Sequence, residues 1–342
     1  MRTMKINRPF VSLLALSLMA ILSCSKKAEN ELNANTEQNE AVLKKNDTGA
    51  QADSSFRVIG YFPDWGDVDQ VQFDKLTHID YAFALPNTDG SIAEIANPTL
   101  LRSLVQKAHA QNVKVFISVG GGTAAATNAF NALAAGNASR EKFRLALIEL
   151  ISTYALDGAD IDWEYPVKGV NDGDYATLIQ QLSIALHNEG KQLSTTVTGS
   201  YGDFVRTSLY THLDFVNILA YDEGTTYHST LDIAKRSLDH WLGLGLPASK
   251  AVLAVPFYGL SPTKDALAFS GLLALGADPY SDVFGDYGYN GITTIKAKTD
   301  MAFARGNGIA IWNLAHDATG ANSLLSAIYT EAQKLKGSAA KK

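Results

Sequence analysis

Eight short runs of β-branched and aromatic residues, separated by longer stretches of helical pattern, constrain this sequence more than any other feature. The runs fall at 58–62, 78–83, 114–119, 158–164, 192–198, 215–220, 252–256 and 308–312. Amphipathic helical patterns lie between them at 98–110, 140–154, 175–188, 230–242, 293–305 and 321–336. Ser139 precedes the second helical pattern and is read as its N-cap. Two parallel strands need a crossover, usually a helix, so this alternation implies a parallel sheet. Eight units over about 280 residues match an α/β fold of the (β/α)8 TIM-barrel kind. A doubly wound open sheet is the alternative, but no Gly-x-Gly-x-x-Gly follows the first run to support it. The segment 259–291 has no clear strand and is read as an excursion with a short helix on the barrel's active-site side.

The first residues belong to export rather than to the fold. Arg2, Lys5 and Arg8 form a positive start, and 10–22 is an apolar run too short to span a bilayer comfortably. It ends Ile21-Leu22-Ser23-Cys24, which resembles a bacterial lipoprotein signal, in which the Cys is lipidated and becomes the new N-terminus. Residues 1–23 are therefore read as signal peptide. Cys24 is the expected lipidation site, and the protein is expected to be exported and held at a bacterial membrane, outer membrane or cell surface. Cys24 is the only cysteine, so no disulfide forms within the chain. Residues 24–55 are polar, lack aromatics below Phe56 and cannot bury enough apolar surface to fold. They are read as a flexible tether, and 56–337 as the barrel. Hydrophobic residues make up 46 % and charged residues 19 %, enough for one sizeable core. The net charge is −6 with no long basic run in the body, which argues against nucleic acid as a partner.

The chemistry concentrates in Asp157-Gly158-Ala159-Asp160-Ile161-Asp162-Trp163-Glu164-Tyr165-Pro166. Residues two apart on a strand share a face, so Asp160, Asp162 and Glu164 form a row spaced by roughly 6–7 Å. Ile161 and Trp163 face the other way, toward the helices. In a barrel the row points inward, and Glu164, last in it, reaches the C-terminal rim where barrel active sites lie. Each ionised carboxylate raises the pKa of the next, so the row shares protons and titrates as a set. That serves stability poorly, and it keeps an acid protonated near neutral pH. The competing readings are a solvated edge strand, which the apolar Leu156, Ile161 and Trp163 disfavour, and a metal site. Side chains spaced along one strand do not converge on a point, so no metal is expected.

This segment resembles the signature of glycoside hydrolase family 18, the chitinase family: Asp-Gly-x-Asp-x-Asp-Trp-Glu-Tyr-Pro. Every specified position matches. The resemblance runs along most of the body: Gly60-Tyr61-Phe62, Tyr81-Ala82-Phe83, Ser118-Val119-Gly120-Gly121, Tyr221-Asp222, Pro256-Phe257-Tyr258-Gly259 and Trp312 are similar to the family's other strand motifs, in order. Leu219 stands where the family has Met, a swap that roughly conserves volume. The stretch from Tyr258 to Trp312 leaves little room for the α+β domain many members carry there, so a barrel without a sizeable insertion is expected, with an open cleft that favours cutting inside a chain.

The resemblance implies an N-acetylglucosamine-polymer hydrolase that retains configuration by substrate assistance, needing no cofactor. Glu164 would protonate the glycosidic oxygen. Asp162 would orient the sugar's 2-acetamido group, whose carbonyl attacks the anomeric carbon. Asp160 would share a proton with Asp162, and Tyr221 would hold the acetamido oxygen in line. Asp222 would contact the sugar near the cut, Trp312 would floor the pocket, and Tyr61 and Phe83 would lie near it. Trp65, in the first loop, could stack a sugar ring. Each has a plainer rival: Trp312, Tyr221, Tyr61 and Phe83 as core, and Asp222 as a helix cap. Trp241, His78 and Asp80 are read as structural. Chitin or chitooligosaccharides are the expected substrate. The alternatives are an endo-β-N-acetylglucosaminidase acting on N-glycan cores and a non-catalytic lectin.

Overall fold

A computed structural model of the chain describes residues 56–339. The signal segment 1–23, Cys24 and the whole of the tether 24–55 lie outside the described residues. Eight parallel strands close into a barrel. They are β1 (Arg57–Pro63), β2 (His78–Ala84), β3 (Lys114–Gly120), β4 (Gly158–Asp162), β5 (Gln192–Val197), β6 (Phe215–Leu219), β7 (Ala251–Pro256) and β8 (Gly308–Trp312). Each pairs with its neighbours in chain order, and β8 closes on β1 with Arg57 opposite Gly308. All eight expected runs are strands; the fourth ends at Asp162, two residues short of Glu164.

The period-two pattern sorts the strands into two apolar layers. Ile79, Val115, Ile117, Ile161, Ile218, Val255 and Ile309 face outward into one large core with the helices. Ile59, Tyr61, Phe116, Phe215, Val252 and Ala310 face inward and fill the barrel. Residue i on a strand and residue i+1 thus serve different cores, as alternation across a pleated strand requires.

The outer ring is made of α1 (Pro98–His109), α2 (Ala124–Ala135), α3 (Asn137–Tyr154), α4 (Asp172–Asn188), α5 (Leu231–Gly243), the short α6 (Phe269–Ala274), α7 (Ile292–Arg305) and α8 (Leu324–Ala339). Local chemistry starts them. The Asn97 side chain accepts from the Leu100 N–H ahead of Pro98, Thr123 accepts from Ala126, and Thr230 accepts from Ile233. Ser139 is not an N-cap. It lies inside α3, and its hydroxyl donates to the carbonyls of Leu133 and Gly136 at 2.7 and 3.0 Å. The helix begins two residues earlier because α2, an alanine-rich helix with little amphipathic signature, runs directly into it. The loops after β1 and β5 carry only short 3-10 turns at Val68–Gln70, Phe73–Lys75 and Thr207–Thr211.

The excursion after β7 does contain strands. Tyr258–Leu260, Ala266–Ala268, Val283–Phe284 and Tyr287–Gly288 form a small antiparallel sheet, with α6 between the second and third of them along the chain. Strands of two or three residues carry no periodicity, so sequence pattern could not reveal them. The insertion is small. Among the described residues no helix is long and apolar enough to cross a membrane.

Candidate active site

The carboxylate row is assembled by register. On β4, Asp160 lies opposite Ser118 of β3 and Ser194 of β5, so three inward side chains meet at one level. Ser118 Oγ donates to Asp160 Oδ2 at 2.9 Å and Ser194 Oγ to Oδ1 at 2.7 Å. From across the barrel the Tyr61 hydroxyl donates to Oδ2 at 3.0 Å. Asn217 Nδ2, from β6, is 2.9 Å from that hydroxyl and 3.4 Å from Asp160 Oδ1. Burial pushes the Asp160 carboxyl above its ordinary value, and these four donors pull it back.

One level higher, Asp162 accepts from Thr196 Oγ1 at 2.5 Å. Burial, then the charges of Glu164 and Asp160, hold its carboxyl well above the usual range. Asp160, ringed by donors, is raised less far than Asp162. Glu164 is less buried. Burial raises it and the Asp222 charge raises it further, while hydrogen bonds with the Tyr165 and Asp162 side chains oppose. The outcome is a carboxyl held above its ordinary value at the rim.

Backbone geometry makes room for that acid. Gly120, at φ +119°, lies so close to the Asp162 carbonyl that a Cβ would sit 2.1 Å from the oxygen. Gly122 faces Glu164 itself, and a Cβ there would meet its carboxyl oxygens at 3.1 and 3.2 Å. The Thr127 hydroxyl, on α2, donates to the Glu164 carbonyl at 2.7 Å and fixes the main chain past the end of β4. Trp163 turns outward and stacks on Phe130, with ring centroids 5.3 Å apart.

Around the row the mouth is aromatic. Trp312 stacks on Phe83 at 5.5 Å and meets Tyr61 edge-on at 5.6 Å. Tyr221 approaches Tyr258 edge-on at 6.3 Å. Burial, then Tyr258 and the nearby carboxylates, keep the Tyr221 phenol neutral and a hydrogen-bond donor. An open cavity of about 390 Å³ is lined by Asp222, Tyr258, Leu260, Lys264, Trp312 and His316. Trp65 is 64 % exposed on the rim loop after β1, its ring 6.0 Å from that of His316. The structure thus brings Glu164, Asp162, Asp160, Tyr221, Asp222, Trp312, Tyr61 and Phe83 to one barrel end, with Trp65 at its edge.

Several contributors carried no sequence signal for a role here. Ser194, Thr196 and Asn217 are ordinary inward strand residues until register places them on the carboxylates. Asp80 lies fully buried inside the barrel beside Tyr61, its partner in the β1–β2 register, and neither carboxyl oxygen has a hydrogen-bond partner among the described residues. Burial, then the charges of Asp160 and Asp162, push its carboxyl well above the ordinary value. Trp241 is core, as expected, its indole N–H donating to the Thr198 carbonyl at 2.7 Å. Asp317 accepts the Leu324 and Leu325 N–H groups at 2.8 and 3.1 Å and so caps α8.

Residues 57–317 match the family described as Glycosyl hydrolases family 18. An Endochitinase of Manduca sexta is 26 % identical over 313 residues, covering 75 % of this chain and 56 % of its own length. Across that protein, Probable chitinase 10 of Drosophila melanogaster and Chitinase A1 of Niallia circulans, the chain spans 12 % to 56 % of the relative's length. Among solved structures, the GH18 chitinase ChiB from the chitin utilization locus of Flavobacterium johnsoniae superposes with a TM-score of 0.74 at 27 % identity, covering 82 % of this chain and 95 % of that one. A chitinase-like agglutinin from Robinia pseudoacacia shares the fold at 23 % identity and a TM-score of 0.72, covering 80 % of this chain and 98 % of its own.

Proposed function

The chain belongs to glycosyl hydrolase family 18, and from that premise we propose that it hydrolyses β-1,4-linked N-acetylglucosamine chains, chitin or chitooligosaccharides, by retaining, substrate-assisted catalysis. The observation that carries this reading is Glu164: a carboxyl raised above its ordinary value, at the barrel rim, next to Asp162 and above a donor-ringed Asp160.

In this reading Glu164 gives its proton to the glycosidic oxygen as the bond to the anomeric carbon breaks. The carbonyl oxygen of the substrate's own 2-acetamido group attacks that carbon and forms an oxazolinium. Asp162 accepts the acetamido N–H and stabilises the developing positive charge, with Asp160 below it carrying the row's resting negative charge. The Tyr221 phenol donates to the acetamido oxygen and holds it in line. Water, deprotonated by Glu164, then attacks the anomeric carbon from the face the leaving group departed, and the oxazolinium C–O bond opposite it breaks to restore the acetamido group. Trp312, stacked on Phe83, offers the apolar floor that a pyranose ring needs. The small insertion leaves the mouth open, which favours attack inside a chain.

A lectin reading has one point in its favour, the agglutinin that shares this fold. Glu164 counts against it, because a binding site gains nothing from a buried acid. Chitooligosaccharides and an N-glycosylated protein, offered in parallel to the wild type and to Glu164→Gln, test the proposal. The wild type should cut the oligosaccharides, and Glu164→Gln should lose at least about a hundredfold in kcat while still binding them. Equal rates for the two proteins would overturn the mechanism. Cleavage of the glycoprotein alone would establish the N-glycan alternative.

The N-terminal sequence supports export and lipidation at Cys24, with the protein held at the outer membrane or cell surface. Cys24→Ala should release it from membranes in soluble form. Continued partition of that variant with the membrane fraction would refute the anchor.

A further inference from the structure

Asp222 has 57 % of its side chain exposed, and an exposed carboxylate ordinarily samples several rotamers. Here one of its oxygens is held from two sides. Oδ1 accepts from the Tyr258 hydroxyl at 2.5 Å and lies 3.1 Å from Nδ1 of His228. No described residue hydrogen-bonds to Oδ2, and Asp222 lines the cleft. The clamp therefore engages one oxygen and leaves the other to the cavity.

His228 is built to be immobile. It is 1 % exposed, and its ring packs 5.1 Å from that of Tyr258, so the two groups on Oδ1 hold each other. Its carbonyl accepts the Glu223 N–H at 3.2 Å, closing the loop between them. The next residue is fastened more firmly still. Ser229 donates its hydroxyl to the Ala220 carbonyl at 2.7 Å, and its own carbonyl accepts from Lys298 and Asn290 at 2.7 and 2.8 Å.

Nδ1 has two possible partners on the same residue. Asp222 has a left-handed backbone, φ +59°, which brings its N–H to 3.3 Å from Nδ1. A single ring nitrogen cannot accept from that N–H and donate to Oδ1 at the same time. The Oδ1 contact is the shorter and involves a charged acceptor, which favours the tautomer with the proton on Nδ1. Burial raises the Asp222 carboxyl, but His228 and Tyr258 lower it more, consistent with a carboxylate at the receiving end.

We propose that His228 is a positioning residue of the cleft, its Nδ1–H donating to Asp222 Oδ1 so that Oδ2 is presented as a fixed acceptor to an N–H or hydroxyl of the bound sugar. The proposal rests on the glycosidase reading, and nothing in the sequence motifs points to His228, which lies six residues past Asp222 across a loop.

The test exploits side-chain geometry. Asn at 228 places an amide N–H near the position of Nδ1, whereas Gln reaches toward Nε2 and Phe keeps the ring without a donor. His228→Asn should stay within about threefold of wild type in kcat/KM on chitooligosaccharides. His228→Gln and His228→Phe should raise KM about tenfold, with a smaller change in kcat, at unchanged melting temperature. Tyr258→Phe removes the other donor from the same oxygen and should raise KM in the same direction, which keeps the test decisive if a His228 variant does not fold. Equal impairment of Asn, Gln and Phe variants would mean that His228 only packs, and equal activity of all three would mean that it does nothing for Asp222; either overturns the proposal. An inactive wild type would instead sink the glycosidase reading, so the two failures are distinguishable.

Discussion

The Tyr61 hydroxyl donates to Oδ2 of Asp160 at 3.0 Å, joining β1 to β4 across the interior of the barrel. These strands are not neighbours in the sheet, so the bond spans the lumen, and it makes an aromatic residue of the first strand part of the acid row. A hydrogen bond to a charged acceptor is worth about 1.5–3 kcal/mol. Tyr61→Phe also strips the Asn217 amide of one acceptor. The variant should lose about that much stability in urea unfolding and show a reduced kcat, because Asp160 then holds its charge less well. Full stability together with full activity would show that the bond matters to neither.

The pH profile should report Glu164. Its carboxyl is raised by burial and by the Asp222 charge. The acid form is present below that raised value and is lost as pH climbs through it, so the Glu164 contribution to activity disappears on the alkaline side. Asp222→Asn removes the neighbouring charge. The alkaline limb of kcat/KM should then move to lower pH, and an unmoved or rising limb would contradict the assignment of Glu164 as the acid.

Asp80 provides a stability signature separate from catalysis. Its folded-state carboxyl is raised well above the ordinary value by burial and by the charges of Asp160 and Asp162. Between the unfolded value and that raised value the folded protein binds one more proton than the unfolded chain. This group therefore lowers stability as pH rises, by up to about 1.4 kcal/mol per pH unit. Asp80→Asn does not titrate. Unfolding free energies of variant and wild type, compared at several pH values from 5 to 8, should diverge in favour of the variant as pH increases; a constant difference would show that Asp80 is already ionised at the low end.

Two glycines at the end of β3 should fail differently. A Cβ at Gly120 would meet a backbone carbonyl at 2.1 Å, and its φ of +119° disfavours any side chain. Gly120→Ala should therefore cost several kcal/mol or prevent folding. The atoms nearest a Cβ at Gly122 are those of the Glu164 carboxyl, at 3.1 to 3.3 Å, and a side chain can turn aside. Gly122→Ala should melt within a few degrees of wild type and lose roughly tenfold or more in kcat, as small misplacements of an acid do. A Gly122→Ala protein that keeps its rate would mean that Glu164 has room to spare.

The strands and the row were legible in the sequence because both depend on alternation along one segment. Asp160 and Asp162 share a face whatever surrounds them, and Ile161 and Trp163 must then pack outward, as they do. Most helices were legible for the same local reason, while α2 and the two- and three-residue strands after Tyr258 were not, since an alanine-rich helix and such short strands leave no pattern. Ser118, Ser194, Thr196, Asn217 and Asp80 became neighbours of the row only through register and barrel closure, which brought Asn217 to Asp160 across 57 residues of chain and set Asp80 on another strand beside them. The clamp of His228 and Tyr258 on Asp222 required a loop to fold back and an insertion to pack beside it. The sequence by itself determined which groups can give and hold a proton, because that depends on residue type and a spacing of two. Tertiary structure alone decided which carboxyl is ringed with donors, which is left without any, and which oxygen faces the cleft, because those are matters of distance between strands.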